Sequence, residues 1–271
     1  MSTGFKIENE IKCYAPEVAH DNFDYPKYHF HLLYELESKN FWFQSRNRII
    51  KHLFSRFLGA NTNAEVLEVG CGTGFVLSEL LKFKNYKLYG AELYLEGLKF
   101  AKERLPNVEF VQLDLRKVPF ENKFDAIGAF DVLEHIEEDE FVMKNIYKAL
   151  KPNGYFFISV PQHKWLWSTQ DDTSFHKRRY SKNEMFKKLI SSGFKVKYFT
   201  SFVFTLLPLM FISRLRMKRK INPETKYNYD ELKVNLFLNS LMTIFMLFDE
   251  VLIKIGFNLP FGGSLIVVAR K

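Results

Sequence analysis

The feature that most constrains this chain is an apolar strand that runs directly into a glycine loop. Residues 66–74 read VLEVGCGTG, so a Val/Leu run carrying one acid, Glu68, precedes glycines at every second position. Such an apolar run is typical of a buried parallel strand, and glycine is needed where backbone turns tightly against a ligand. Apolar residues at helical spacing follow in 75–82. The stretch predicts a nucleotide-type cofactor site where a first strand ends and a helix begins.

The spacing of the glycines distinguishes two classes of cofactor site. A dinucleotide fingerprint, G-x-G-x-x-G, would place its third glycine at residue 75, where this chain has Phe75. The observed G-x-G-x-G, two residues after Glu68, resembles the first motif of class I S-adenosylmethionine-dependent methyltransferases, in particular the small-molecule types 11 and 23. The resemblance implies S-adenosyl-L-methionine as cofactor. It implies cofactor contacts in the first motif at Glu68, Gly70, Cys71, Gly72, Thr73 and Gly74.

Three further predicted strands, 86–93, 108–115 and 124–131, each end at or next to an acid. A carboxylate at Glu92 could accept both ribose hydroxyls, and the resemblance implies that Asp114 accepts from the adenine amino group. Each acid taken singly could instead be a helix cap, but the four acids occur in the order that the family requires. Further cofactor contacts are therefore expected at Glu92, Leu93, Asp114, Leu115 and Phe130.

Later segments complete the fold prediction. A turn at 150–154 carries Asn153, which tolerates positive φ, and strands are expected at 155–161, 194–200 and 264–269. The fold class is α/β, a Rossmann-like seven-stranded mixed sheet flanked by helices. The expected divisions are an N-terminal helical cap, the cofactor-binding core, an apolar helical insertion and the final core strand: 1–58, 59–200, 201–263 and 264–271.

Composition narrows the range of partners and compartments. The 271 residues contain two cysteines, no C-x-x-C or H-x-x-x-H spacing, and no apolar leader in the first 30 positions. We therefore expect a cytoplasmic protein without disulfides or a metal site. The net charge of +8 invites a nucleic-acid partner. The acidic stretch 134–140 beside the expected site argues against one, and those acids are interpreted as a helix start.

Candidate residues for the acceptor lie outside the cofactor motifs. Arg46, on a predicted helical segment 28–58, could reach the carboxylate of the cofactor's methionine moiety or lie on a helix surface. His176 and His135 are the candidate general bases, because histidine ordinarily titrates near neutrality, and Asp131 could orient acceptor or cofactor. Aromatic and cationic residues in 161–180 suit a polyhydroxylated acceptor, or pack that connection. They are Trp165, Trp167, Arg179 and Tyr180.

Residues 201–263 separate two strands that are ordinarily joined by a short connection. They hold apolar runs at 202–212 and 232–257, each interrupted by proline or charges, so we expect no membrane-spanning helix. The insertion could be a helical cap, a dimer interface or an interfacial membrane element over 201–257, at the inner face of the membrane. The last reading rests on a basic cluster: Arg214, Arg216, Lys218, Arg219 and Lys220.

Together these patterns indicate methyl transfer from S-adenosyl-L-methionine to an oxygen, less readily a nitrogen, of a small-molecule or lipid-linked acceptor. The alternatives are a non-catalytic S-adenosylmethionine-binding interaction protein, a quinol-type or RNA methyltransferase, and a nicotinamide-dependent oxidoreductase, which Phe75 disfavours.

Overall fold

A computed structural model describes residues 4–20, 27–218 and 234–271. Within these residues a mixed β-sheet is covered by helices on both faces. The strands β1 to β9 are Lys6–Glu8, Ile11–Cys13, Ala64–Val69, Tyr86–Glu92, Glu109–Gln112, Phe124–Phe130, Leu150–Pro161, Lys195–Phe202 and Ser264–Arg270. The helices α1 to α9 are Lys27–Leu36, Phe41–Phe54, Phe75–Leu80, Leu95–Arg104, Asp139–Ala149, Thr169–Thr173, Lys182–Ser191, Leu207–Lys218 and Leu236–Lys254.

The strand order is β1-β2-β5-β4-β3-β6-β7-β9-β8. Strands β5, β4, β3, β6 and β7 are parallel, and β9 runs antiparallel between β7 and β8. The predicted α/β class and the seven core strands are confirmed. The strand count was wrong, because the described chain adds β1 and β2 as a hairpin at the β5 edge.

The central strands are buried on both faces. In β3, Val66 packs into the cluster below α2 and α9, whereas Leu67 and Val69 pack into the cluster below α5 and α7. This two-sided burial explains the near-continuous apolar sequence of the strand. It also places the glycine loop at the carboxyl ends of the parallel strands.

The N-terminal segment is less uniform than the sequence indicates. Its first residues form the β1–β2 hairpin instead of a helical cap, and the predicted helix 28–58 divides into α1 and α2. The division falls at Asn40, whose side chain accepts from the Trp42 N–H at 2.9 Å and so caps α2. Helix α2 then crosses the sheet beside the glycine loop, where the Asn47 amide donates to the Phe75 carbonyl at 3.0 Å.

Helices α8 and α9 form the described part of the insertion. Pro208 lies in the first turn of α8, where it is tolerated. By length and composition alone, the 19-residue helix α9 is long and apolar enough to cross a membrane, a test that core helices also pass, so the expectation of no membrane-spanning helix stays a prediction. Nevertheless α9 is tied to the core, because buried Glu250 accepts from Arg48 at 2.7 Å and Ser45 at 2.8 Å on α2.

Candidate active site

A cavity of about 880 Å³ opens where β3, β4 and β6 end. The loops after these strands form one side of it, and α2, the segment 170–179 and helices α8 and α9 close the others. Ligands of open α/β sheets bind outside the carboxyl ends of the strands, at the point where the strand order reverses and leaves a crevice. The cavity is therefore the candidate active site.

The three glycines of the loop have different physical roles. All three have positive φ, which favours glycine. A Cβ on Gly70 would lie 2.4 Å from a Val132 methyl, and a Cβ on Gly74 would touch Ala101. Packing therefore requires glycine at positions 70 and 74. A Cβ on Gly72 would meet no protein atom within 4 Å, although Gly72 lines the cavity. That open space fits the close approach of a ligand to the backbone.

Glu92 connects the end of β4 to the glycine loop. One carboxylate oxygen accepts from the Gly72 N–H at 3.0 Å, and the other accepts from the Leu93 N–H at 2.7 Å. Burial raises the pKa of Glu92, while these backbone hydrogen bonds oppose the rise. Carboxylate oxygens accept more than one hydrogen bond each, so Glu92 can also accept from a ribose facing the cavity.

Glu68 lines the cavity from β3 and is 3% exposed. Its Oε2 atom has no hydrogen-bond partner among the described residues. Burial raises the pKa of Glu68 well above its ordinary value, although the positive charge of Arg46 lowers it in part. A buried acceptor without a partner is costly, and a cationic or N–H-bearing ligand in the cavity would satisfy it. The adjacent Cys71 thiol is also buried, which raises its pKa.

Arg46 reaches the cavity from α2. It is 7% exposed, forms an ion pair with Asp131 after β6, and lies over the Trp42 ring at 4.8 Å from its centroid. Asp131 has φ of 58°, a conformation that aspartate adopts more readily than most residues. The structure thus brings both predicted residues together in one ion pair at the cavity wall, instead of leaving Arg46 on a helix surface.

The remaining predicted cofactor positions divide into two groups. Leu93, Asp114, Leu115 and Phe130 line the cavity, and the Asp114 carboxylate accepts from the Arg116 side chain at 3.0 Å. Thr73 and Gly74 do not line it. Thr73 instead donates its hydroxyl to the buried carboxylate of Glu37, a cavity residue that sequence analysis missed.

Three titratable side chains meet in the middle of the cavity: Glu134, His135 and His176. Burial raises the pKa of Glu134 well above its ordinary value, and the charge of Asp131 adds to the rise. Burial lowers the pKa of His135 from the ordinary 6.5 to about 3. The interpretation of 134–140 as a helix start was wrong for Glu134, because α5 begins at Asp139.

His176 is oriented by a neighbouring carboxylate. Its Nδ1 lies 2.9 Å from Asp171 Oδ1, which also accepts from Arg179 Nε at 2.7 Å. Burial alone would raise the pKa of Asp171, but its hydrogen bonds with His176 and Arg179 lower it to about 2. Arg179 lines the cavity as predicted, although its guanidinium already binds Asp171 and the Gln162 carbonyl.

Three predicted acceptor contacts do not line the cavity. Tyr180 is fully buried, and its hydroxyl donates to Asp139 at 2.7 Å, so it is a core residue. Trp167 donates its ring N–H to Asp172 at 2.9 Å. Trp165 is 49% exposed and stacks on His163. Packing of the connection therefore accounts for Tyr180, while Trp165 and Trp167 contact neighbours outside the cavity.

Another wall of the cavity is formed by the insertion. Leu209 and Met210 of α8 and Leu238 and Met242 of α9 give it an apolar wall. Two polar residues of α8, Ser213 and Arg214, also line the cavity. Arg214 is 8% exposed and donates to the Ser168 hydroxyl at 2.7 Å. The predicted basic cluster is thus divided, since Arg214 faces the cavity. The side chains of its other members, Arg216, Lys218, Arg219 and Lys220, lie outside the described residues.

Comparison with known proteins points to one domain family. Residues 67–158 match the family described as Methyltransferase domain. A probable S-adenosylmethionine-dependent methyltransferase of Mycolicibacterium smegmatis is 26% identical over 166 residues, covering 60% of this chain and 62% of the relative. A sterol 24-C-methyltransferase of Gibberella zeae is 29% identical over 195 residues, covering 64% and 50%. The chain thus spans between half and two thirds of these relatives.

The fold has counterparts among solved structures. Phosphoethanolamine N-methyltransferase 2 of Haemonchus contortus, solved in complex with S-adenosyl-L-methionine, superposes with a TM-score of 0.59 at 18% identity, covering 93% of this chain and 58% of the other. At this identity the likeness shows the fold, which is that of class I methyltransferases.

Proposed function

We propose that this chain, which contains a class I S-adenosylmethionine-dependent methyltransferase domain, transfers the methyl group of that cofactor to an oxygen of an apolar, membrane-derived acceptor. The observation that carries the proposal is the continuity of the cavity. Gly72 and Glu92, the Glu134–His135–His176 cluster and the apolar side chains of α8 and α9 all line this one cavity. Donor groups, proton-handling groups and an apolar acceptor site thus share one space.

The part of the cavity next to the glycine loop, called the donor end because the methyl donor would bind there, supports cofactor binding. Gly72 leaves room for a ligand against the backbone, Glu92 presents a carboxylate for ribose hydroxyls, and Glu68 presents an acceptor without a partner in the described chain. The bound cofactor supplies an activated methyl group on a sulfonium. The protein's contribution is then to hold the acceptor atom in line with that methyl and to exclude water.

The middle of the cavity supports oxygen as the accepting atom. A hydroxyl must lose its proton as it accepts a methyl group, and a positioned imidazole or carboxylate can promote that loss. His176, fixed by Asp171, and Glu134 are such groups, and both line the cavity. An amine acceptor would need less help at this step.

The outer surface of the insertion supports delivery of the acceptor from a bilayer. Along α9, large apolar side chains recur at helical spacing and are exposed: Phe237, Leu241, Ile244, Phe248 and Val251. Soluble proteins rarely expose a patch of this kind without a partner. We propose peripheral contact with the anionic inner face of a membrane, because the sequence carries the cations Arg216, Lys218, Arg219 and Lys220 between the apolar runs 202–212 and 232–257. The name of the sterol-methylating relative agrees with a lipid acceptor.

Label transfer tests the activity. The protein is incubated with methyl-labelled S-adenosyl-L-methionine and with separated lipid and polar extracts, and label is expected in a lipid product. At low cofactor concentration Glu92→Ala should slow transfer strongly, while Glu96→Ala, which removes a partly exposed carboxylate in the first turn of α4 that pairs with Lys99, should retain it. Label in the polar fraction would refute the lipid acceptor. Cofactor binding without any label transfer would favour a non-catalytic binding protein.

Liposome flotation tests the membrane contact. Burying one phenylalanine side chain contributes about 1.5–3 kcal/mol, so Phe237→Ser with Phe248→Ser should weaken partitioning to anionic vesicles by at least about tenfold. The matched control is Phe141→Ser, because Phe141 is 51% exposed but lies on α5. Failure of the unmodified protein to float with anionic vesicles at low salt would refute this contact.

A further inference from the structure

The Glu134–His135–His176 cluster has the composition of a metal site. Each residue offers one ligand atom, and the three atoms lie within 4.8 Å of one another. The donors come from two distant segments, the turn after β6 and the connection before α7, so no short sequence spacing reveals them. Two imidazoles and a carboxylate form a donor set that binds divalent transition ions.

His176 is oriented in the way that metal-binding histidines commonly are. Its Nδ1 is bound by Asp171 at 2.9 Å, which leaves the Nε2 side of the ring for a ligand. Asp171 is itself held, because its other carboxylate oxygen accepts from the Ser168 N–H at 2.9 Å. A carboxylate behind a histidine ligand fixes the ring and raises its basicity.

The burial of Glu134 is a second observation that supports a metal site, independent of the spacing of the ligand atoms. Its side chain is fully buried, and neither carboxylate oxygen has a hydrogen-bond partner in the part of the chain that the structure describes. The nearby cations are already committed: Arg46 pairs with Asp131, and Arg179 pairs with Asp171. Glu134 is thus a buried acceptor with a carboxylate oxygen within 4.8 Å of imidazole nitrogens of His135 and His176, and burying such a group without a partner is costly.

We propose that Glu134, His135 and His176 bind one divalent cation inside the cavity. The ion satisfies the lone pairs of Glu134 and compensates a carboxylate that no described ion pair balances. The imidazole nitrogens favour Mn²⁺, Co²⁺ or Zn²⁺ over Mg²⁺, which prefers oxygen ligands. Cation binding does not depend on the identity of the acceptor.

The role of the ion rests on the proposed function. A hydroxyl of the acceptor, coordinated to the ion, would have a lowered pKa and lose its proton to water. The oxygen lone pair then forms the bond to the methyl carbon while the carbon–sulfur bond breaks, and that electron pair stays on sulfur. In this arrangement His176 is a ligand and not the general base.

The full chain is first treated with a chelator and then titrated with Mn²⁺. Electron paramagnetic resonance measures the free and the bound ion at each step of the titration. Glu134→Gln keeps the side-chain shape and should weaken binding at least about 100-fold. Asp171→Asn, which weakens the support of His176 together with the ion pair to Arg179, should weaken it by about 10–100-fold. The matched controls are His31→Ala and Glu140→Gln, an exposed imidazole and an exposed carboxylate outside the cluster, and both should bind like the unmodified protein.

Two outcomes would overturn the proposal. One is a protein that binds S-adenosyl-L-methionine but takes up no Mn²⁺, Zn²⁺ or Mg²⁺ at millimolar concentration. The other is a folded Glu134→Gln variant, checked by its melting temperature, that binds Mn²⁺ as the unmodified protein does. Label transfer is measured separately. Metal binding without methyl transfer would therefore count against the proposed function and not against the site.

Discussion

Removing the Glu92 carboxylate should weaken cofactor binding without unfolding the protein. Hydrogen bonds to a charged group contribute about 1.5–3 kcal/mol, so losing the ribose contact in Glu92→Ala should raise the dissociation constant by about 10–150-fold. The same carboxylate accepts from the Gly72 N–H at 3.0 Å. The variant therefore also releases the loop that forms the cofactor cradle, and the larger end of this range is expected.

Calorimetric titration with S-adenosyl-L-methionine measures the change, and two variants separate its causes. Glu92→Gln retains one acceptor oxygen and should fall between the unmodified protein and Glu92→Ala. Glu96→Ala should have no effect on affinity, because Glu96 pairs only with the exposed Lys99 on its own helix. A Glu92→Ala variant that binds within about twofold of the unmodified protein would refute the assignment of this carboxylate to the ribose.

Three further predictions concern packing and titration. Gly70→Ala should destabilise the protein by about 2–5 kcal/mol in urea unfolding, from positive φ and the Val132 contact; adding Val132→Ala should recover only the packing part. Glu250→Ala leaves Arg48 and Ser45 without their buried partner. It should lower the free energy of unfolding by about 3–5 kcal/mol, reduced by the hydration of partly exposed Arg48. Glu250→Gln should lower it by less. Burial lowers the pKa of His29 from 6.5 to about 4, so the unfolded chain binds more protons in that interval and stability should fall as pH drops through it. His29→Leu should flatten that pH dependence in thermal melts, and an unchanged slope would contradict the assignment.

Much of the sheet could be predicted because its strands are buried on both faces. The runs containing Val66 and Ile127 are apolar apart from single acids, and their ends at the glycine loop and at Asp131 follow from the motif spacing. The β1–β2 hairpin could not be predicted. Its strands have three residues each, and their order comes from pairing with β5, which local sequence does not encode.

The acceptor side of the site was harder to predict than the donor side. The sequence identifies Trp165, Trp167 and Tyr180 as aromatic candidates for the acceptor site. The direction of each ring, however, depends on partners elsewhere in the chain, such as Asp139 for Tyr180. Glu134 had one available signal, an acid enclosed by apolar residues in VLEHI, which suggests burial. Its neighbours in space, however, come from the distant segment that contains His176 and Asp171.

The ion pair between Arg46 and Asp131 joins a helix that precedes the first core strand to the turn after β6. The family-matched stretch begins at residue 67 and so lacks Arg46 altogether. Expressed alone, that stretch would leave Asp131 without its cation and the donor end without the α2 wall. A transplant of this catalytic unit into another scaffold must therefore begin upstream of α2, at a boundary set by electrostatics and not by the motif.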